Sequence, residues 1–220
     1  MSEKIIAPSL ISANFNNLED FMNQINSSKA AWLHLDVMDG HFVPNLSFGA
    51  KVISNIRAKS DLFFDVHMMV KNPSRLLEQI ANSGADQISI HYEACDHLRT
   101  TLQKIRSYGK KSGITFNPTT KIEDVAEYFD CVDHVQLMSV QAGFDGQEFL
   151  TESIDRLKKI VKYREENNLN FTISVDGGVN PNNIQLLASL GADVFVMGSA
   201  IFRKGQVFQT IDIMHSLVNK

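Results

Sequence analysis

Eight short runs of β-branched and aromatic residues recur along the whole of this 220-residue chain, and segments with helical spacing separate them. The runs are Ile5–Ser9, Trp32–Asp36, Leu62–His67, Gln87–His91, Ser112–Phe116, His134–Met138, Phe171–Asp176 and Val194–Met197. Strands that alternate with helices pair in parallel through right-handed crossovers. Eight units of roughly 27 residues therefore predict an α/β fold, a single (β/α)8 TIM barrel over residues 1–220 that forms one catalytic domain.

An open, doubly wound parallel sheet is the alternative arrangement of the same elements. Such a sheet usually carries a glycine-rich turn directly after its first strand. Here the first strand runs into Pro8-Ser9-Leu10, which is not a turn of that kind. The closed barrel is therefore the favoured prediction.

Composition excludes several classes of protein. Hydrophobic residues make up 44 % of the chain, and the formal net charge is −4, so we expect a full core and no basic surface for nucleic acid. Apolar runs stop at about nine residues, far below the roughly 20 that a membrane span needs, and no secretory signal is evident. Two cysteines are too few for a disulfide framework. We therefore expect a cytoplasmic protein with reduced thiols and no membrane or nucleic-acid partner.

Histidine and aspartate side chains occupy the carboxyl ends of three predicted strands. His34 and Asp36 end the second strand, His67 ends the third, and Asp176 ends the seventh. Barrel active sites form at this end of the strands, and residues two apart in a strand share a face. Two imidazoles and two carboxylates suit a divalent metal such as zinc, iron or manganese. Each residue alone is more often a core histidine or a turn-forming aspartate, so a metal site and a structural polar cluster both remain open.

Two carboxylates beside one metal also indicate a type of chemistry. A metal polarises a carbonyl and stabilises an enediolate oxyanion. One carboxylate then removes a proton from the adjacent carbon, and the other returns a proton to the opposite face. These two proton transfers invert a stereocentre without a redox cofactor.

Glycines follow the last three predicted strands, in Gly143–Gly146, Gly177-Gly178 and Gly198-Ser199. Barrels commonly bind phosphate with backbone N–H groups of the loops after strands seven and eight. The pattern therefore predicts a phosphate site, although tight turns would use the same glycines.

Five stretches of the chain resemble ribulose-phosphate 3-epimerases, and together they extend from Ala7 to Phe202. They are Ala7–Leu10, His34–Asn45, Asp65–Val70, Val175–Val179 and Val196–Phe202. The resemblance implies an isomerase of carbohydrate metabolism in the pentose phosphate pathway. It would interconvert D-ribulose 5-phosphate and D-xylulose 5-phosphate by 1,1-proton transfer through an enediolate.

The resemblance also assigns roles to residues. His34, Asp36, His67 and Asp176 would bind one divalent metal ion, for which zinc is favoured over iron, manganese or cobalt, and Asp36 and Asp176 would be the catalytic acid–base pair. The residues that would contact substrate are Ser9, His67, Met38, Met69, Met138, Gly143, Phe144, Asp145, Gly146, Gly177, Gly178, Gly198 and Ser199. Family members are homo-oligomers, so we expect one here.

One loop departs from the family pattern Pro-Gly-Phe-Gly-Gly-Gln. This chain reads Ala142-Gly143-Phe144-Asp145-Gly146-Gln147. Losing the proline frees φ and should loosen the turn. A carboxylate that faces a phosphate is repelled by it, and aspartate adopts a glycine conformation poorly. Three outcomes stay open: Asp145 points to solvent, the substrate is another ketose phosphate such as D-allulose 6-phosphate, or phosphate affinity is reduced.

Two other function classes compete with an epimerase. Related barrel decarboxylases carry Asp-x-Lys-x-x-Asp on the third strand, but Asp65-Val66-His67 has histidine in place of that lysine. A non-catalytic sugar-phosphate binder should have lost an acid–base carboxylate, whereas Asp36 and Asp176 are both present. An epimerase is therefore the favoured interpretation.

Overall fold

The computed structural model describes residues 3–203 and 205–219. Eight parallel strands form one sheet in the order β1-β8-β7-β6-β5-β4-β3-β2. The strands are β1 Ile5–Pro8, β2 Trp32–Met38, β3 Phe63–Met69, β4 Gln87–His91, β5 Lys111–Phe116, β6 His134–Met138, β7 Thr172–Asp176 and β8 Val194–Met197. A parallel bridge between Ser9 and His34 joins the two end strands and closes the barrel. The predicted (β/α)8 fold is confirmed.

Helices follow the strands and cover the outside of the barrel. They are α1 Leu18–Ser27, α2 Ala50–Arg57, α3 Leu77–Asn82, α4 Leu98–Ser107, α5 Ile122–Val125, α6 Ser153–Glu166, α7 Ile184–Ser189, α8 Ser199–Phe202 and α9 Val207–Val218. Short 3-10 turns occupy Leu10–Ser12, Phe15–Asn17, Pro73–Arg75, Tyr92–Ala94 and Ala126–Cys131. Within the described ranges, no helix has the length and apolar character needed to cross a membrane.

The strands β2 and β3 are longer than the sequence predicts, and this extension shapes the mouth of the barrel. The parallel ladder between them continues past Asp36 and His67 to pair Met38 with Met69. Both methionines are almost completely buried, so they prolong the sheet rather than start a loop. The other predicted strands begin or end within one residue of the observed ones.

Strand β2 shows how side chains divide between the two faces of the barrel wall. Leu33, Leu35 and Val37 belong to the large apolar cluster that fills the layer between strands and helices. Because side chains alternate along a strand, the intervening residues point into the barrel lumen. Residues of the lumen therefore run from Trp32 at the amino end through His34 and Asp36 to the carboxyl end.

His134 lies in the lumen at the amino end, opposite the mouth. Its Nδ1 is 2.7 Å from Thr172 Oγ1, and its Nε2 is 2.8 Å from Ser174 Oγ. The ring of Trp32 packs 5.7 Å away. Burial lowers the pKa of His134 to about 4, because a charged imidazole would lose its hydration there. The folded state therefore resists protonation of this histidine.

We expect acid to destabilise the protein through His134. The unfolded imidazole takes up a proton below about pH 6.5, whereas the folded one does so only near pH 4. Between those values the unfolded state binds the extra proton, so the free energy of unfolding falls by about 1.4 kcal/mol per pH unit as pH decreases. The His134→Gln variant should show a shallower slope by that amount in denaturant titrations from pH 4.5 to 6.5. Equal slopes in His134→Gln and wild type, with exposed His97→Gln as control, would contradict this assignment.

Candidate metal centre and active site

Four side chains meet in the lumen near the carboxyl ends of the strands. His34 and Asp36 come from β2, and the register between β2 and β3 sets Asp36 beside His67. Asp176 arrives from the end of β7. Each of the four residues offers one ligand atom, and these atoms lie within 4.8 Å of one another. The structure thus brings together all four residues that the sequence predicts as metal ligands.

The distances within this cluster match the spacing of ligands around one ion. His34 Nε2 lies 3.3 Å from Asp36 Oδ1 and 3.7 Å from Asp176 Oδ2. His67 Nδ1 lies 3.1 Å and 3.5 Å from the same two oxygens. Atoms that are each about 2.0–2.1 Å from a tetrahedral ion lie about 3.3–3.4 Å apart. The donor set therefore fits a single divalent cation in both chemistry and size.

A carboxylate next to its other ring nitrogen fixes the orientation of His34. Its Nδ1 is 2.8 Å from Asp65 Oδ2, and Gln87 Nε2 donates to Asp65 Oδ1 at 2.8 Å. The buried Nε2 atom of His34 has no hydrogen-bond partner among residues 3–203 and 205–219. A histidine whose Nδ1–H is bound to a carboxylate presents the Nε2 lone pair, which is the usual arrangement of a metal-bound imidazole. Burial would lower the pKa of His34, but Asp36 and Asp65 together outweigh burial and raise it, so a cation would displace a proton from the Nε2 atom when it binds there.

Asp36 and Asp176 differ in how readily they ionise. Burial would raise the pKa of Asp36, but His34 and His67 together outweigh burial and lower it. Burial raises the pKa of Asp176 to about 7, and the negative charges of Asp36 and Asp65 add to that effect. Before a cation binds, the cluster thus holds one carboxylate and one carboxyl group that readily keeps its proton. Two carboxyls with separated pKa values suit a paired base and acid.

Hydrogen bonds also fix the direction of both carboxyl groups. Ser9 Oγ donates to Asp36 Oδ2 at 2.6 Å, and Gln136 Nε2 donates to Asp176 Oδ2 at 2.7 Å. Ser9 is predicted to contact substrate, and its hydroxyl lies against the predicted catalytic carboxylate of Asp36. Both groups are thereby oriented toward the same central space.

An open cavity lies directly above the cluster. Asp36 and Asp176 form part of its floor, while His34 and His67 lie buried beneath it. Its walls include most of the residues predicted to contact substrate, namely Ser9, Met38, Met69, Met138, Gly143, Phe144, Asp145, Gly146, Gly177, Gly178, Gly198 and Ser199. The three methionines pack with Val43, Val140 and Ala142 into a separate apolar cluster. The cavity thus has a charged floor and one apolar, sulfur-rich wall.

Glycines let the loops after β7 and β8 approach other parts of the chain closely. Gly178 has φ +65, and a Cβ there would lie 2.5 Å from the backbone nitrogen of Phe149. A Cβ on Gly198 would collide with Ser12 Oγ. Gly178 therefore requires glycine, whereas a side chain at Gly198 would force the Ser12 hydroxyl to move.

The altered loop after β6 is not strained at Asp145. Among the described residues other than glycine, only Asn72 and Asn168 have positive φ, so Asp145 adopts an ordinary backbone conformation. Its side chain is exposed, yet its Oδ1 lies 3.3 Å from where a Cβ on Gly198 would be. The carboxylate therefore stands at the rim of the cavity and faces the loop after β8.

Ala142 compensates in part for the proline that the family pattern has at this position. Its backbone N–H donates to Asn117 Oδ1 at 3.3 Å, a bond that a proline cannot make. The residue is almost completely buried. The expected loosening of the turn is thus opposed by a new contact to the loop after β5.

Asp65 and Gln136 are the residues of this site that sequence reasoning did not assign. Both point into the lumen two positions before a predicted site residue, Asp65 before His67 and Gln136 before Met138. That period of two is a usable signal once a strand's inward face is known.

Comparison with known proteins agrees with this geometry. Residues 5–202 match the model of the family described as "Ribulose-phosphate 3 epimerase family". The chain belongs to the ribulose-phosphate 3-epimerase family. Its curated relatives include the ribulose-phosphate 3-epimerases of Treponema pallidum, 42 % identical over 90 % of both chains, and of Escherichia coli K12, 39 % identical over 100 % of this chain and 98 % of the relative. The predicted family and the predicted isomerase class are confirmed.

Solved structures of lower identity share the fold. KGPDC from Streptococcus mutans superposes with a TM-score of 0.75 at 11 % identity, over 99 % of this chain and 98 % of that one. A tryptophan synthase alpha-subunit from Pyrococcus furiosus gives 0.70 at 18 % identity, over 99 % of both chains. At such identities the likeness concerns the barrel alone.

We expect wild type to bind one equivalent of zinc through this cluster. At free zinc 100 times the dissociation constant, the free energy of unfolding should rise by about 2.7 kcal/mol. The His34→Gln variant loses the Nε2 ligand and should bind zinc at least tenfold more weakly. Equilibrium dialysis and thermal unfolding measure both effects, with exposed His97→Gln as control. Equal zinc affinity in His34→Gln and wild type would remove His34 from the ligand set.

Proposed function

We propose that this chain is a ribulose-phosphate 3-epimerase that interconverts D-ribulose 5-phosphate and D-xylulose 5-phosphate. One observation carries the proposal: two carboxyl groups with opposed pKa shifts converge with two imidazoles under a cavity rimmed by glycine loops. Family membership and the named relatives support the same activity. They do not favour an epimerase of another ketose phosphate or a non-catalytic binder.

Several finer points belong to this proposal. His34, Asp36, His67 and Asp176 would bind one divalent ion, with zinc as the first candidate, since a set of two imidazoles and two carboxylates accepts several metals. The substrate is a small ketose phosphate, and residues 1–220 act as one catalytic domain in a cytoplasmic homo-oligomer.

The two carboxyl groups divide the proton transfers between them. When bound, the cation would polarise the substrate carbonyl and stabilise the negative charge that develops on its oxygen. Asp36, with its lowered pKa, removes the proton from C3 of ribulose 5-phosphate. Asp176, with its raised pKa, delivers a proton to the opposite face of the planar enediolate. In the reverse direction the two residues exchange roles, and the configuration at C3 is inverted each way.

The wall formed by three methionines would protect the enediolate from water. Met38, Met69 and Met138 are at most 7 % exposed, and they border the cavity next to Asp36. Thioethers are adaptable and carry no strong hydrogen-bonding group. They exclude water from the reacting carbons without offering a competing acid.

The glycine loops and Arg203 would receive the phosphate group. Gly177, Gly178, Gly198 and Ser199 border the cavity, and backbone N–H groups of such loops commonly donate to phosphate oxygens. The guanidinium of Arg203 lies close to Gly146, since its Nη2 is 2.6 Å from where a Cβ on that glycine would be. Arg203 borders the adjoining cavity, which shares Gly146, Gly178 and Ser199 with the cavity above the cluster, so one cation lies next to these glycines.

Separate substitutions of the two carboxyls test the division of labour. Asp36→Asn should lower turnover of ribulose 5-phosphate by at least 100-fold, because it removes the base and a metal ligand together. Asp176→Asn should still exchange the C3 proton of ribulose 5-phosphate with D2O while forming no xylulose 5-phosphate. Proton NMR of zinc-loaded protein reads both reactions. Near-normal turnover by Asp36→Asn, or full epimerisation by Asp176→Asn, would refute the assigned roles.

Asp145 should weaken phosphate binding by repulsion at the rim of the cavity. Two like charges about 5 Å apart near a protein surface repel by roughly 1–3 kcal/mol, so Asp145→Asn should lower KM for ribulose 5-phosphate by roughly 5- to 150-fold with kcat unchanged. The exposed Asp61→Asn, in the turn before β3, is the matched control. Assays with allulose 6-phosphate in parallel separate phosphate affinity from sugar preference. An unchanged KM would place the carboxylate away from the bound phosphate.

A further inference from the structure

A row of hydrogen bonds leads from the mouth of the barrel to the buried His67. His67 Nε2 lies 2.9 Å from His91 Nε2, and His91 Nδ1 lies 3.1 Å from Glu93 Oε2. Both imidazoles are completely buried, and the Glu93 side chain is 24 % exposed. Neither His91 nor Glu93 belongs to the metal-binding cluster. The row therefore connects the cluster to a carboxylate outside it.

If His67 is to bind a cation through Nδ1, only one assignment of protons to the ring nitrogens of His67 and His91 is possible. An ionised glutamate only accepts, so His91 carries its proton on Nδ1 and donates it to Glu93. The Nε2 of a neutral His91 is then an acceptor, and His67 must donate its Nε2–H to it. This leaves the lone pair of His67 on Nδ1, the atom that faces Asp36 and Asp176. Gln136 Nε2, a donor, also lies 3.1 Å from that Nδ1.

Glu93 is itself held so that one oxygen remains for His91. Its Oε1 accepts from the backbone N–H of Asn117 at 2.7 Å and from the hydroxyl of Thr120. Hydrogen bonds from His91 and Thr120 together outweigh burial and lower the pKa of Glu93, so the carboxylate is ionised at neutral pH. The loop after β5 thus fixes the acceptor end of the row.

Aromatic packing fixes the position of His91 between the two ends. The rings of His67 and His91 stack with centroids 5.0 Å apart and an interplanar angle of 26°. Phe42, from the loop after β2, packs 4.7 Å from His91 on another side. The His91 ring is therefore confined, and its tautomer is the remaining freedom.

We propose that Glu93 and His91 are positioning residues that set the tautomer of His67 and so direct its Nδ1 lone pair to the metal. The two metal-binding imidazoles are then prepared in opposite ways. Asp65 acts directly on His34 and leaves Nε2 free, whereas Glu93 acts through His91 on His67 and leaves Nδ1 free. This inference rests on the proposed function only in that the cluster binds a divalent cation.

Glutamine at position 93 should reverse the donor and acceptor roles along this row of hydrogen bonds rather than merely weaken the bonds. The backbone N–H of Asn117 can only donate, so it retains the amide oxygen, and the amide NH2 group then faces His91 Nδ1. His91 would accept there and donate from Nε2, which forces the proton of His67 onto Nδ1. Alanine at position 93 removes the acceptor but imposes no direction. The isosteric Glu93→Gln should therefore be the more harmful of the two variants.

Zinc affinity, measured in the absence of substrate, tests this ranking of the two variants. We expect Glu93→Gln to bind zinc 10- to 100-fold more weakly than wild type, and Glu93→Ala to lie between the two, as measured by competition with a chromogenic chelator. Glu123→Gln, the same change on exposed α5, should match wild type. Two results would overturn the proposed role of Glu93 and His91. One is zinc binding by Glu93→Gln within twofold of wild type, and the other is weaker zinc binding by Glu93→Ala than by Glu93→Gln.

Nitrogen-15 NMR of zinc-loaded wild type provides a test that depends on no variant. The proposed row of hydrogen bonds requires protons on His67 Nε2 and His91 Nδ1, with His91 Nε2 unprotonated. A proton on His91 Nε2 would overturn it. Failure of wild type to bind zinc would instead contradict the proposed metal site, so the two failures are distinguishable.

Discussion

Two carboxyl groups and two imidazoles in mutual contact inside a packed barrel are the constraint on which this molecule depends. Isolating a charge from water costs several kcal/mol unless a partner compensates. In the cluster this cost appears as opposed shifts, since the pKa of Asp36 is lowered and that of Asp176 is raised to about 7. A divalent cation among the four ligand atoms would turn the repulsion between carboxylates into attraction. The cluster thus has the donor atoms for a cation and two carboxyl groups with opposed pKa shifts.

The register between neighbouring strands brings the clustered side chains together. The ladder that sets Asp36 beside His67 also sets His34 beside Asp65, so one strand pair supplies three of the four clustered side chains and one supporting carboxylate. Closure of the barrel brings Ser9 against Asp36, and β7 brings Asp176. Above this floor, the glycine loops and methionines form the walls of the cavity.

The sequence alone predicts the barrel and the four side chains that the structure brings into one cluster, because periodicity and strand-end polarity are local signals. His34 and Asp36 stand two apart, and that spacing alone gives them one face. The supporting residues are harder to find. The bond of Asp65 to His34 depends on strand register, and the path from Glu93 through His91 to His67 depends on side-chain rotamers. The backbone of Asp145 and the Ala142 contact likewise depend on how one loop packs against another.

The most direct test of the account follows the fate of one proton. Zinc-loaded wild type would be given ribulose 5-phosphate in D2O, and C3 of both sugars would be observed by NMR during the first turnovers. Two carboxyls on opposite faces predict xylulose 5-phosphate that carries solvent deuterium at C3 in every molecule. Product that retains the original C3 proton, or no product from a folded, zinc-loaded sample, would contradict the account.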